Sequence, residues 1–112
     1  MYILLDTEGV DRVVEGTPTL KALQHYCEGD VEVLSHDELP FVMWMNETKR
    51  DTFGNRLKMN TKATTLMNNA LWPGDHISGM VVITGIADEE GEVKPLDHEQ
   101  VDTITERLHR KG

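Results

Sequence analysis

The sequence predicts an α+β fold, a single small domain in which a mixed or antiparallel sheet packs with about three helices. Three observations carry this. Short β-compatible runs recur between stretches of helical spacing. Three of those helical stretches open on residues that cap helices well. The run from Ile77 to Ile86 is apolar on both alternating faces, which suits a strand covered on both sides. At 112 residues the chain is expected to form one domain over residues 1–112.

Tyr2–Leu5 is apolar, Asp6-Thr7-Glu8-Gly9 is a turn cluster and Val10–Val14 is a second extended piece, so the chain opens on a hairpin. Thr17 is placed to cap a first helix with Pro18 at its first position. Leu20, Leu23 and Cys27 share its inner face beside Tyr26, and Gly29 is placed to end it in a left-handed conformation. Val31-Glu32-Val33 reads as a short strand and Phe41–Met45, with Trp44, as a more apolar one. Asn46–Met59 is the longest polar stretch and reads as a flap, with Arg56–Met59 returning as an edge strand.

Asn60 is a strong N-cap, and Ala63, Leu66, Met67, Ala70 and Leu71 form one apolar stripe of a second helix ended by Pro73-Gly74. Gly79, inside the doubly apolar strand, signals a bulge or a close backbone approach. After the turn Asp88-Glu89-Glu90-Gly91, Asp97 and Gln100 form a reciprocal cap for a third helix, with Leu96 and Val101 as the hydrophobic staple. Val101, Ile104 and Leu108 are its buried stripe, and Arg107, Arg110 and Lys111 suit its negative end.

Composition bounds the function. Hydrophobic residues are 38% and charged residues 28% of the chain, the balance of an ordered globular protein. A net charge of -9 and a pI near 4.9 disfavour direct binding of nucleic acid or anionic membrane, since both would be repelled. The lone Cys27 excludes an internal disulfide, and five residues before Asp6 are too few for a signal peptide. No apolar run approaches a membrane span, and the protein is expected in the cytoplasm.

Chemistry-bearing motifs are sparse. His25, His36, His76, His98 and His109 do not fall at metal-ligand spacings, and those beside acids sit where turns and caps want them. Cys27 lies on an apolar stripe near a helix C-terminus, where the dipole opposes a thiolate, and reads as a buried structural thiol. Asp88–Glu92 resembles a calcium loop in composition only and reads as a solvated turn. No nucleophile elbow, phosphate loop or dinucleotide turn is present, and no cofactor is expected.

One local feature stands out. Lys49, Arg50, Arg56 and Lys58 concentrate basic charge on the flap around Phe53. The cluster reads first as a hairpin kept soluble by charge, and second as a clamp for a phosphate or a base. Trp72, directly before Pro73-Gly74, reads first as core or hinge packing and second as an exposed anchor for a partner.

The stretch from Thr17 to Val101 resembles a family of small bacterial and bacteriophage proteins known as DUF3846. The resemblance rests on Leu20-Lys21-Ala22-Leu23 before Asp30-Val31-Glu32-Val33, on Asn60-Thr61-Lys62-Ala63-Thr64, on Ile77-Ser78-Gly79-Met80-Val81-Val82 ending at Gly85, and on Leu96-Asp97-His98-Glu99-Gln100-Val101. The family's Asp-Glu-x-Gly turn after the apolar strand is here Asn46-Glu47-Thr48-Lys49-Arg50-Asp51, with the glycine delayed to Gly54, and its Gly-Asp before the last valines is Gly79-Met80. The resemblance implies a phage or phage-like origin and a small soluble domain, and it implies no reaction.

The functional expectation is a non-enzymatic accessory module that binds a host protein or sequesters a small ligand. Its contact residues are Lys49, Arg50, Phe53, Arg56 and Trp72. A sharper form has a homo-oligomer holding a nucleotide-derived defence signal between Lys49, Arg50 and Arg56. The alternatives are an acidic mimic of nucleic acid acting through Asp37-Glu38 and Asp88–Glu92, and an enzyme with an unrecognised site.

Overall fold

The structure is a computed structural model that describes residues 1–110, so Lys111, assigned above to the end of the third helix, lies outside the described residues. Five strands, β1 (Tyr2–Leu5), β2 (Asp11–Val14), β3 (Val31–Leu34), β4 (Val42–Asn46) and β5 (Val81–Thr84), form one antiparallel sheet in the order β2-β1-β5-β4-β3. Helices are α1 (Leu20–Cys27), α2 (Thr61–Leu66) and α3 (His98–Leu108). The class is α+β, as the alternating pattern predicts, and of the two sheet types expected the antiparallel one is found.

Strand alternation sorts the core into two layers. On one face Ile3, Leu5, Met43, Val81 and Ile83 pack with Ala63, Met67, Val101, Ile104 and Leu108 from the α2 and α3 side. On the other, Tyr2, Leu4 and Val82 meet Leu23 and Cys27 of α1. β5 is buried along its whole length between β1 and β4, with Ile83 opposite both Ile3 and Met43. The doubly apolar strand is thus central, although its ladder is shorter than Ile77–Ile86. Outside Val81–Thr84 the segment makes only single bridges, Met59 to Ser78 and Gly85 to Lys94. Of the two effects its position signals, Gly79 provides the close approach. Its φ is +82°, and a Cβ there would lie 2.9 Å from Leu57 Cδ1.

Several local expectations are corrected. Thr19, not Thr17, caps α1 through the Ala22 N–H, which leaves Pro18 before the helix. Leu20 thereby becomes the first helical residue, and its side chain, tilted toward the N-terminus, projects past the helix and is exposed rather than packed. At the other end Glu28 takes the left-handed position (φ +62°), with Gly29 N–H bonded to Gln24 O and Glu28 N–H to His25 O in a Schellman arrangement. Gly29 is needed for space, because a Cβ there would sit 3.1 Å from Asn46 Nδ2.

The second helix is shorter than its stripe. α2 stops at Leu66 and a 3₁₀ turn follows at Asn68–Ala70. Asn68-Asn69 favours such a break, and the Thr64 hydroxyl bonds back to Asn60 O at 2.8 Å while accepting the Ile77 N–H at 3.0 Å. Ala63 and Met67 are buried, whereas Leu66, Ala70 and Leu71 pack half-buried around the core. Arg56–Met59 does not form an edge strand either. Only the bridges Arg50 to Arg56 and Met59 to Ser78 form there.

α3 matches its pattern throughout. Asp97 and Gln100 make the reciprocal capping box, Leu96 and Val101 are buried together, and Ile104 and Leu108 complete the stripe.

Candidate functional site

The 46–59 flap is anchored by one buried asparagine. Asn46 ends β4 with 3% of its surface exposed. Its side-chain amide donates to Cys27 O (3.0 Å) and Arg50 O (2.7 Å). Its Oδ1 accepts from Thr48 N–H (2.9 Å), the Thr48 hydroxyl (3.2 Å) and Arg50 N–H (3.3 Å). Both amide protons are used inside the protein, so the flap's base is joined to the end of α1.

The tip is a second asparagine-like turn. Asp51 Oδ1 accepts the N–H groups of Phe53 and Asn55, each at 2.9 Å, and Asp51 N–H closes the loop on Asn55 O. The Asn55 and Phe53 N–H groups hold the Asp51 carboxyl below its ordinary value. Gly54 takes φ +84° at the turn, and the Arg50 guanidinium donates to its carbonyl at 2.9 Å. Lys49 is held in the left-handed region (φ +62°), uncommon for a residue with a side chain, and its ammonium meets Asp75 at 2.6 Å. The Lys49 hydrogen bond, followed by that of the His76 N–H, holds the Asp75 carboxyl below its ordinary value.

The flap stands between two hollows. An open groove of about 880 Å³ lies toward α1, lined by Lys21, His25, Glu28, Asp51 and Phe53 among others. A cleft of about 240 Å³ lies on the other side, lined by Lys49, Arg50, Arg56, His76 and Ser78 among others. Arg50 borders both. The structure therefore brings Lys49, Arg50 and Arg56 to one cleft and places Phe53 with Arg50 on the opposite groove.

Trp72 belongs to neither hollow. It is 83% exposed, which corrects its reading as hinge packing, and Phe53 is 88% exposed. Pro73-Gly74 turns the chain away from the core directly after Trp72, so the indole is left outside. Its turn is nonetheless tied to the flap, because Asp75, which holds Lys49, closes the turn by donating its N–H to Trp72 O at 3.0 Å.

Sequence reasoning places Asn46 at the start of the flap but misses its anchoring role, and it misses Asp75 and His76 as parts of this region. Asn46-Glu47-Thr48 carried a usable signal, since Asn at a strand end followed by Thr two residues on favours a side-chain-capped turn. Asp75 and His76 were noticed only as an acid–histidine pair, and their contact with the flap is set by tertiary packing.

The remaining candidates have structural explanations. The Cys27 thiol is fully buried, 3.6 Å from Trp44 O, and burial pushes it up to about 12. Asp88 accepts the N–H groups of Glu90 and Glu92 and meets Lys94 at 3.2 Å, the arrangement of a capped surface turn. His36 accepts the Glu38 N–H, and His109 pairs with Asp11 at 2.6 Å. No helix among the described residues is long and apolar enough to cross a membrane.

A family model described as "Domain of unknown function (DUF3846)" matches residues 1–109, a longer span than the Thr17–Val101 stretch that carries the resemblance in sequence. No curated protein and no solved structure matches the chain.

Proposed function

This chain belongs to the DUF3846 family, and from that premise we propose that it is a non-enzymatic binding module that engages a protein through the 46–59 flap. The observation that carries the reading is Phe53, held 88% exposed at the tip of a flap whose base and turn are both capped by side chains. An ordered loop that presents a bare phenyl ring leaves roughly 1.5–3 kcal/mol of burial unrealised. Trp72, on the turn tied to Lys49, leaves a comparable amount. An aromatic anchor beside an arginine is the composition of interface hot spots, and here Arg50 lines the same groove as Phe53. Because the loop is already ordered by folding, a partner meets little further ordering cost.

A small-ligand version of this reading has weaker support. The cleft holding Lys49, Arg50 and Arg56 is about 240 Å³, below the roughly 300–1,000 Å³ of typical ligand pockets. Lys49 is already paired with Asp75, and Arg50 is bonded to Gly54 O. In the acidic-mimic reading Asp88 is capped and paired with Lys94, so that turn's first acid is not free for a partner.

The test is affinity capture from extract of the source cell, or of its host if a phage encodes the chain. Wild type should retain a discrete protein, and Phe53→Ala combined with Trp72→Ala should lower that retention roughly tenfold or more with the thermal midpoint unchanged. Retention indifferent to the double substitution would overturn the proposal.

A further inference from the structure

A third hollow, lined by residues of α2 and of the end of α3 rather than of the flap, departs from the charge of the whole chain. Between α2 and α3 lies a groove of about 380 Å³ lined, among the described residues, by seven, three of them the cations Lys62, Arg107 and Arg110 and none of them acidic. The chain has 20 acidic and 11 basic side chains, so a described lining with three of the eleven and no acidic side chain runs against its composition. Elsewhere the acids find the lysines, as in Lys49–Asp75, Lys58–Glu8 and Lys94–Asp88. Among the described residues neither Lys62 nor Arg107 has an ion-pair partner, and Arg110 has only a long contact of 3.7 Å to Glu106.

The groove is built as well as charged. The Lys62 side chain lines the groove, and its stem lies against the opening hairpin, where a Cβ on Gly9 would come within 3.3 Å of Lys62 Cε. Leu108, 6% exposed, and the half-buried Leu66 supply apolar surface. Thr61 and Thr65 add hydroxyls on the α2 side.

We propose that this groove binds a small phosphate monoester, the Arg107 and Arg110 guanidinium groups and the Lys62 ammonium taking the phosphate while an attached ring or chain lies on Leu66 and Leu108. Guanidinium forks match two phosphate oxygens at once and an ammonium adds a point charge. The volume is within the range of small-molecule sites, roughly 300–1,000 Å³, and exceeds that of the flap cleft. A chain of net charge -9 would repel such an anion at a distance, so the expected affinity is modest and sensitive to salt.

The test is an amide-shift titration of the isotopically labelled full chain with AMP, inorganic phosphate and adenosine. AMP should give saturable shifts at residues 61–66 and 107–110. Inorganic phosphate should move the same amides at higher concentration, and adenosine should not. Lys62→Gln and Arg107→Gln should each weaken AMP roughly tenfold, the size of one charge-assisted contact, with unchanged spectra elsewhere. The proposal fails if neither AMP nor phosphate gives saturable shifts, if both substitutions leave the affinity unchanged, or if the shifts fall only on residues 48–56.

Discussion

The side-chain amide of Asn60 donates to the main-chain carbonyl of Gly79 at 2.9 Å, and so joins the start of α2 to the segment that leads into the central strand. The same amide donates to Leu5 O at 3.1 Å, and Oδ1 accepts the Ala63 N–H at 3.0 Å. Asn60 is fully buried, and three segments distant in sequence depend on it. The Asn60-Thr61-Lys62-Ala63-Thr64 motif is therefore a statement about architecture. Asn60 joins the segments, Ala63 is buried beneath the helix, and Thr64 receives the Ile77 N–H.

Asn60→Ala should cost about 3 kcal/mol, a lost cap plus two buried carbonyls without partners. Asn60→Asp discriminates between a cap and a junction. A carboxylate would still cap Ala63, but it would face the carbonyls of Leu5 and Gly79 with no proton to offer. Urea unfolding at pH 7 should therefore find Asn60→Asp at least as unstable as Asn60→Ala. A near-neutral Asn60→Asp would reduce Asn60 to a simple cap.

Two glycines should fail for different reasons. Gly85 has ordinary backbone angles, but a Cβ would lie 2.7 Å from Pro95 O and 3.2 Å from Lys94 O, both main-chain atoms. Gly54 has φ +84° with nothing within 4 Å, so Gly54→Ala should cost only the left-handed penalty of about 1–2 kcal/mol. Gly85→Ala should cost more, because backbone must move. Equal unfolding midpoints for the two variants would contradict this account.

Removing the Asn46 side chain should loosen the flap selectively. In Asn46→Ala the Thr48 N–H loses its acceptor, the Arg50 N–H keeps only the Thr48 hydroxyl, and the α1 end loses its tie through Cys27 O. Hydrogen exchange at Thr48 and Arg50 should accelerate roughly tenfold or more, consistent with about 1.5 kcal/mol of lost local protection. Amides of β1 and β5 should shift only by the global change in stability. Uniform acceleration along the chain would mean the flap has no separate anchor.

The buried thiol predicts a pH dependence. Cys27 is pushed from an ordinary 9.0 up to about 12, first by burial and then by the Glu28 carboxylate. The unfolded chain therefore releases this proton at lower pH than the folded one, and stability falls as pH rises from 9 toward 12. The slope approaches about 1.4 kcal/mol per pH unit for one proton. Cys27→Ala should remove that slope between pH 9 and 10. A residual decline would remain from Tyr2, whose hydroxyl is raised first by its hydrogen bond to Tyr26 and then by burial. An identical decline in wild type and Cys27→Ala would contradict the assignment.

Much of the fold was legible because local pattern and tertiary packing agree in it. The opening hairpin, the doubly covered β5 and the capping box of α3 are all written within a few residues. The extent of α2 was not, because its end is decided by Thr64 bonding to Ile77 N–H, thirteen residues away. The flap's charge and aromatic ring were visible, but its order was not. That order comes from Asn46 meeting Cys27 O and from Lys49 meeting Asp75, contacts between residues nineteen and twenty-six positions apart. The α2–α3 groove was invisible for the same reason, since Lys62 and Arg107 meet only once the helices pack.

Site-specific photo-crosslinking tests the central claim, that the flap is the contact surface for a protein partner. Benzoylphenylalanine would be placed at position 53 and, separately, at position 10, where Val10 is also well exposed (60%) but belongs to the opening hairpin and not to the flap. Irradiation in the source cell should give a discrete protein adduct from position 53 and none from position 10. Adducts from neither position, or the same adducts from both, would contradict it.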